Sequence, residues 1–271
     1  MKILTINLKA HDSIATLKER ILPIIDMVRR RSIDVILIQE APGGIVSLFQ
    51  GNCFNSVKHI ANQLGYDYAD CRMTGWPLLY TVRLGIIAGD RIDELSVRKI
   101  LNRPMIDFNN FKFDEKHLFP WTRKILGAKI GQTAFFCTHL GYELGNPGFT
   151  TQAKNVASYI RNAVRAWGTF ESVIGGDFNF DGYSKTLNPF YATMISGGYV
   201  DAQFGEPDIK TFGVEGNPYG SGLINRPYRI DYIMTRNMRV LHAETVFNQP
   251  GTFVSDHCGV YVEVEKSEAS R

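Results

Sequence analysis

Asp34-Val35-Ile36-Leu37-Ile38-Gln39-Glu40 is an almost unbroken apolar run that ends on a carboxylate. A strand with one wet face alternates polar and apolar residues. This stretch does not, so it reads as a central strand covered on both faces. Reading outward, Lys2–Leu8 alternates as a strand. Between the two, Ser13 can cap a helix through about Arg31, with Ile14, Leu17, Ile21, Ile24, Ile25 and Val28 on one face. Pro23 falls inside that helix and is expected to kink it. On the other side, Ala41-Pro42-Gly43-Gly44 is expected to stop the strand and open a loop.

The same reading continues along the chain. A short helix is expected over Asn55–Leu64, then strands near Tyr66–Met73, Leu79–Ala88, Val97–Leu101, Ile125–Ile130 and Thr133–His139. A Phe- and Asn-rich insertion without periodicity, Pro104–Pro120, separates two of them. A helix fits Thr150–Trp167, a short strand Ser172–Gly176, and a helix Lys185–Ser196. After a Gly-, Pro- and Tyr-rich loop, Gly205–Pro227, strands are expected at Arg229–Thr235, Arg239–Phe247 and His257–Glu265. Many strands with helices at intervals, some strands too close for crossover helices, indicate mixed sheets covered by helices.

Bulk properties narrow the class. A chain of 271 residues with 44% hydrophobic content can bury a large core. No repeat or linker divides it, so one domain over residues 1–265 is expected, with a flexible tail over 266–271. The net charge of +3 permits a polyanionic substrate without demanding one. Its densest basic cluster, Arg29-Arg30-Arg31, suits a helix C-terminus. Met1 leads straight into a strand pattern, so neither a leader peptide nor a membrane span is expected. Cys53, Cys71, Cys137 and Cys258 lack C-x-x-C spacing, which argues against a zinc cluster. Reduced thiols in a cytoplasmic protein are the expectation.

The chemistry sits at strand ends. A charge such as Glu40 closing an apolar strand is costly unless it meets water, a partner or a cation. Magnesium uses hard oxygen ligands and often only one or two carboxylates. Glu40 with Asn7 and Asp256 suits that sparse pattern. In Gly175-Gly176-Asp177-Phe178-Asn179, Asp177 and Asn179 share a face if the chain stays extended; the other reading is an Asx-turn. An Asp there can orient or deprotonate a water, and an Asn can donate to a phosphoryl oxygen. His139 ends the apolar run Phe135-Phe136-Cys137-Thr138. Asp231, inside Arg229-Ile230-Asp231-Tyr232-Ile233, needs a partner if buried, and His257 of Ser255-Asp256-His257 is a natural one.

Taken in order, these motifs resemble the endonuclease/exonuclease/phosphatase superfamily. The matches are Thr5-Ile6-Asn7-Leu8, Gln39-Glu40, Thr138-His139-Leu140, Gly176-Asp177-Phe178-Asn179, Arg229-Ile230-Asp231-Tyr232 and Ser255-Asp256-His257. The resemblance spans residues 2 to about 265. It implies an α/β fold, a four-layer α/β/β/α sandwich with two mixed β-sheets and the site at one rim. It further implies hydrolysis of a phosphoester with Mg²⁺ or Mn²⁺. In the roles it implies, Glu40 holds the metal with help from Asn7 and Asp256. Asp177 positions or activates the attacking water, and Asn179 supports the phosphate. Asp231 orients His257, while His139 and His257 contact the scissile phosphate.

Departures from the family pattern bear on the substrate. His139 stands where apurinic-site endonucleases carry Tyr, and Ala41 where secreted deoxyribonucleases place Arg. Arg123 is a further candidate for phosphate contact. Arg72, Trp76, Phe119, Trp121, Tyr219 and Arg226 are candidates for a groove lining. A nuclease-like phosphodiesterase leads narrowly, so the partner expected is a phosphoester substrate, with nucleic acid first and membrane lipid second. The alternatives are a sphingomyelinase-like phospholipid phosphodiesterase, an inositol or small-molecule phosphatase, and a non-enzymatic phosphate-binding protein on the same fold.

Overall fold

The computed structural model describes residues 1–10, 14–45, 53–76, 80–102, 122–141, 147–180, 189–203, 209–220 and 227–267. In chain order the elements are β1 (Lys2–Asn7), α1 (Ile14–Arg31), β2 (Val35–Ile45), β3 (Cys53–Asn55), α2 (Ser56–Leu64), β4 (Asp67–Trp76), β5 (Tyr80–Ala88) and β6 (Glu94–Asn102). There follow β7 (Thr122–Ile130), β8 (Thr133–His139), α3 (Pro147–Ala166), β9 (Glu171–Asp177), α4 (Pro189–Ser196), β10 (Val200–Asp201), β11 (Asp231–Arg236), β12 (Met238–Val246) and β13 (Gly259–Lys266). No helix among the described residues is long and apolar enough to cross a membrane.

The strands form two sheets. One runs β12-β13-β1-β2-β5-β4 with β3 added to β2; the other runs β10-β11-β9-β8-β7-β6. Both are mixed: β1 and β2 pair in parallel, as do β8 and β9, while their neighbours are antiparallel.

Alternation along each strand builds the layers. Ile3, Val35, Leu37, Val260 and Val262 of the first sheet meet Phe135, Cys137, Val173 and Ile233 of the second in a shared apolar layer. The intervening Leu4, Ile6, Ile36, Ile38 and Tyr261 face the opposite way, onto Leu17, Ile21, Ile24 and Val28 of α1 and Val57 and Ile60 of α2. On the far side, Phe136, Ile174 and Tyr232 pack on Val156, Ile160 and Trp167 from α3 and its exit. The result is the four-layer α/β/β/α sandwich. It explains why Val35–Ile38 has no polar position, since both of its faces are core.

Local chemistry sets several boundaries. Asn55 caps α2 by accepting from the Lys58 N–H at 3.2 Å, and Gly65 closes the helix in the left-handed region at φ 72°. α1 runs unbroken through Pro23 from Ile14 to Arg31. α3 starts at Pro147, a residue suited to a first helical position because its missing N–H would have no partner there.

The strand at Val35 does not stop at Glu40 as expected. It continues through Ala41-Pro42-Gly43-Gly44 to Ile45, with a register shift against β5 between Ile38 and Ala41. Glu40 takes φ 47° at this bulge. A bulge absorbs the irregularity and re-aims the side chain while the ladder resumes beyond it. Ala41, Pro42 and Gly43 then pair with Arg83, Val82 and Thr81, and Ser56 Oγ donates to the Pro42 carbonyl at 2.8 Å. β3 and β10, each short, are additions to the sequence reading. The predicted insertion Pro104–Pro120 and most of the predicted start of the helix at Lys185 lie outside the described residues.

Gly176 is a fixed point of the scaffold. It has φ 147°, and a Cβ built on it would lie 1.9 Å from the Thr138 carbonyl oxygen of β8. Gly176→Ala is therefore expected to cost at least about 3 kcal/mol, because both backbone strain and backbone collision oppose it. Urea unfolding of the variant measures this; an unchanged midpoint would contradict it.

Candidate active site

The second sheet brings three candidate residues into one row. His139, the last residue of β8, is in register with Asp177, the last of β9, and Asp177 is in register with Asp231, the first of β11. All three are buried. His139 Nε2 lies 3.3 Å from Asp177 Oδ2, and the Leu140 N–H donates to the Asp177 carbonyl at 2.9 Å.

The first sheet supplies the opposing side. Asn7 ends β1 and crosses between the sheets, its Nδ2 donating to Asp177 Oδ2 at 3.1 Å. Its Oδ1 accepts from the Lys9 N–H at 3.0 Å, which leaves that carbonyl one lone pair. Glu40, re-aimed by the bulge, places Oε1 3.8 Å from His139 Nδ1, while Oε2 accepts from the Ala10 N–H at 3.2 Å. His257, just before β13, sets Nδ1 2.9 Å from Asp231 Oδ2 and Nε2 3.9 Å from Asp177 Oδ2. Asp256 is half-buried and accepts from Ser255 Oγ at 3.2 Å; among the described residues it makes no hydrogen bond or ion pair to Glu40 or Asn7.

Of the two sequence readings of Asn179, the structure takes the Asx-turn: β9 ends at Asp177 and the chain does not stay extended to Asn179. The Asn179 N–H donates to Asp177 Oδ1 at 2.9 Å with Asn179 at φ 52°, which is an Asx-turn. One Nδ2–H donates to the Leu140 carbonyl at 2.8 Å and ties the exits of β8 and β9 together. Of the further candidates, Arg123 lies in β7, whose strand starts three residues earlier than expected, and its charge acts on His139. Tyr219 accepts from Lys9 Nζ through its carbonyl and packs its ring under the buried Arg20. Arg72 is exposed on β4, and Trp76 ends that strand. Phe119, Trp121 and Arg226 lie outside the described residues.

The electrostatics divide the groups by charge. Burial lowers the His139 pKa well below 6.5, with the charges of Arg123 and His257 adding to the effect, so His139 is neutral at neutral pH. For His257, burial also opposes the charge, but the Asp231 carboxylate overrides it and raises the pKa to about 10. His257 is an imidazolium whose Nδ1–H is anchored on Asp231. Burial pushes Asp177 up to about 7, helped by the carboxylates of Asp231 and Glu40 and offset by His257. One ligand-type atom from each of Asp177, Asp231 and His257 falls within 4.8 Å of the others. Asp231 Oδ2 is hydrogen-bonded to His257 at 2.9 Å, whereas Glu40, on the other side of Asp177, has the most accessible side chain of the three carboxylates. Crowded carboxylates and the Asn7 amide oxygen are hard donors that suit a hard divalent ion; the buried His139 Nδ1, without a hydrogen-bond partner among the described residues, is an imidazole nitrogen and stands outside that donor set. The thiols do not: burial raises Cys137 and Cys258 to about 12 and Cys71 to about 11, so all three stay protonated and free.

Residues that support this rim were not evident from the sequence. Arg20, buried in α1, donates to the Val254 carbonyl at 2.8 Å and to the Leu8 carbonyl at 2.9 Å. It thereby joins the exit of β1 to the segment that carries Asp256 and His257. Arg229 is buried against Asp201 at 2.5 Å with its guanidinium over the Tyr232 ring, beneath Asp231. A basic residue within a helix gives no sequence sign of which loops it will reach.

Two mixed sheets facing one another, helices outside, and acids and imidazoles gathered on one rim define a recognised class of α/β sandwich. No protein-family model matches the sequence, and no curated protein matches it. Solved structures do match. An endonuclease/exonuclease/phosphatase family protein from Leptotrichia buccalis superposes with a TM-score of 0.70 at 21% identity, covering 98% of this chain and 99% of that one. A mannosyl-6-phosphatase from Bacteroides thetaiotaomicron gives a TM-score of 0.66 at 18% identity, with 98% and 99% covered. A 3′ phosphatase from Neisseria, bound to a product DNA hairpin, gives 0.63 at 15% identity, again with 98% and 99% covered. The chain has the endonuclease/exonuclease/phosphatase fold, as the order of its sequence motifs implied.

Proposed function

We propose that this protein is a divalent-metal-dependent hydrolase of phosphoesters, with nuclease-like phosphodiesterase action as the leading substrate class. One observation carries the reading: neutral His139, Asp177, and the Asp231–His257 pair line up at one rim, with Glu40 and Asn7 facing them. Glu40, assisted by Asn7 and Asp256, would hold Mg²⁺ or Mn²⁺, which when bound supplies charge neutralisation at a phosphoryl oxygen. Asp177, pushed up to about 7 by burial, would accept a proton from the attacking water. The His257 imidazolium, oriented by Asp231, stabilises the negative charge that develops on the phosphate. His139, neutral and 3.3 Å from Asp177, offers a hydrogen bond to the same group without adding charge. Asn179 keeps the β8 and β9 exits in place beneath the phosphate.

The named activities of two similar structures, on a mannosyl phosphate and at a DNA 3′ end, are both phosphoester chemistry on different substrates. They support the reaction type and leave the substrate to experiment. The test is a panel with Mg²⁺, and again with EDTA: single- and double-stranded DNA, RNA, sphingomyelin, inositol and sugar phosphates, and a generic bis-ester. Hydrolysis with Mg²⁺ that EDTA abolishes is the expected outcome. Metal bound with no member of the panel cleaved would favour a phosphate-binding protein instead.

A further inference from the structure

The two residues of the Asp231–His257 pair belong to different sheets. β11 pairs with β9 and β10, and β13 pairs with β1 and β12; no ladder joins β11 to β13. A 2.9 Å contact across that gap needs something else to hold it. The described segment 209–220, read from the sequence as plain loop, supplies it.

Thr211 is fully buried, and its Oγ1 accepts from two successive backbone donors, the Ile230 N–H at 3.0 Å and the Asp231 N–H at 3.1 Å. Its carbonyl accepts from the Cys258 N–H at 2.7 Å. One residue thus grips both sides of the pair, at the start of β11 next to Asp231 and just before β13 next to His257. Phe212 extends the grip: it forms single antiparallel bridges to both Tyr228 and His257, exchanging hydrogen bonds with Tyr228 at 3.0 and 2.8 Å. Its ring lies 4.6 Å from the His257 ring, centroid to centroid, tilted by 39°. The imidazole therefore has Asp231 at Nδ1 and an aromatic wall along the ring.

We infer that Thr211 and Phe212 are positioning residues that hold Asp231 and His257 in register across the two sheets. The inference rests on the proposed phosphoester hydrolysis for its kinetic consequence, but its structural half does not. A hydroxyl is required at Thr211 because only an oxygen acceptor can satisfy both N–H groups; a side chain of the same shape without one leaves two buried donors unmade. Outer partners of this kind typically change activity by about 10–100-fold when removed.

Thr211→Val, Thr211→Ser and Phe212→Ala carry the test, each read in two ways. The first is the low-field proton resonance of the His257 Nδ1–H, assigned by its absence in His257→Gln. The second is kcat and KM on the best substrate of the panel. Thr211→Val is expected to broaden or remove the resonance and to lower kcat by about 10–100-fold, with KM within about twofold. Thr211→Ser, which keeps the oxygen, is expected to retain the resonance and most of kcat. Phe212→Ala keeps the backbone bridges and is expected to weaken the resonance and lower kcat by about tenfold. A folded Thr211→Val with the resonance and kcat of the parent overturns the inference. If Thr211→Val does not fold, Phe212→Ala decides by the same two criteria. If the parent protein hydrolyses nothing in the panel, the functional reading fails, and the resonance alone still decides whether Thr211 and Phe212 hold the pair.

Discussion

His257→Ala is expected to lower kcat by about 10²–10⁴-fold, with Mg²⁺ saturating and the fold intact by circular dichroism. The size follows from what the side chain does rather than from its burial. At neutral pH it presents a positive charge at the rim, raised to that state by Asp231 against the opposing effect of burial. A fixed charge in a site screened from water stabilises a developing oxyanion far more than the same charge in solvent. Asp231→Asn should lose a comparable amount, because a neutral amide no longer holds His257 as the imidazolium. Stability measured in EDTA provides an independent check with a definite sign. The folded pKa of His257, about 10, lies above the ordinary 6.5. The stabilisation it brings is therefore fully present below about pH 6.5 and lost as pH rises through about 10. The stability gap between the parent protein and His257→Gln should narrow across that window. A gap that widened with pH, or a His257→Ala protein with parental turnover, would remove His257 from the site.

How much of this was legible in the sequence depended on whether a residue's environment is local. The run at Val35 announced a strand buried on both faces, because no polar position interrupts it, and both faces are core. The catalytic candidates were visible for the same reason: an acid or imidazole closing an apolar strand is an exception that local pattern exposes. The continuation of β2 through Pro42 and Gly43 was hidden. Turn-forming residues signal a stop, yet tertiary pairing with Arg83, Val82 and Thr81 overrides it, and the bulge at Glu40 makes room for the change of register. Thr211 and Arg20 were hidden more deeply. Their value lies in backbone groups far along the chain, Ile230, Asp231 and Cys258 for one, Leu8 and Val254 for the other. Nothing in a Thr within a Gly-rich loop, or an Arg within a helix, specifies such partners. Asn179 lies between: its type was informative, but the left-handed turn that uses its N–H and its amide was one of two readings the residues left open.

Glu40→Gln is expected to abolish the response to divalent metal while leaving the scaffold in place. The substitution is chosen over alanine because Glu40 Oε2 accepts from the Ala10 N–H, and an amide oxygen can keep that bond. What it removes is the charge. In the parent protein, Mg²⁺ binding only to the folded state should raise the thermal midpoint with increasing metal concentration. In Glu40→Gln that rise should vanish, and titration calorimetry should show affinity lower by at least about 100-fold, as should turnover. A second consequence separates the loss of a ligand from a general disturbance of the rim. Asp177 is held up near 7 first by burial, then by the carboxylates of Asp231 and Glu40. Removing the Glu40 charge takes away one of the forces opposing ionisation, so Asp177 should ionise at lower pH in the variant. Residual activity, measured at high Mn²⁺, should accordingly keep its rate to more acidic pH than the parent. Parental metal affinity in Glu40→Gln would move the cation away from Glu40, to the grouping of Asp177, Asp231 and His257 whose ligand atoms already lie within 4.8 Å. A cation there would take His257 through Nε2 and Asp231 through Oδ1, displacing the Nε2 proton while Nδ1–H stays on Asp231, so the low-field resonance would leave its imidazolium position on adding Mg²⁺ to the parent protein. Its persistence at that position in saturating metal, together with loss of binding in Glu40→Gln, would assign the cation to the Glu40 side and the proton to the histidine side.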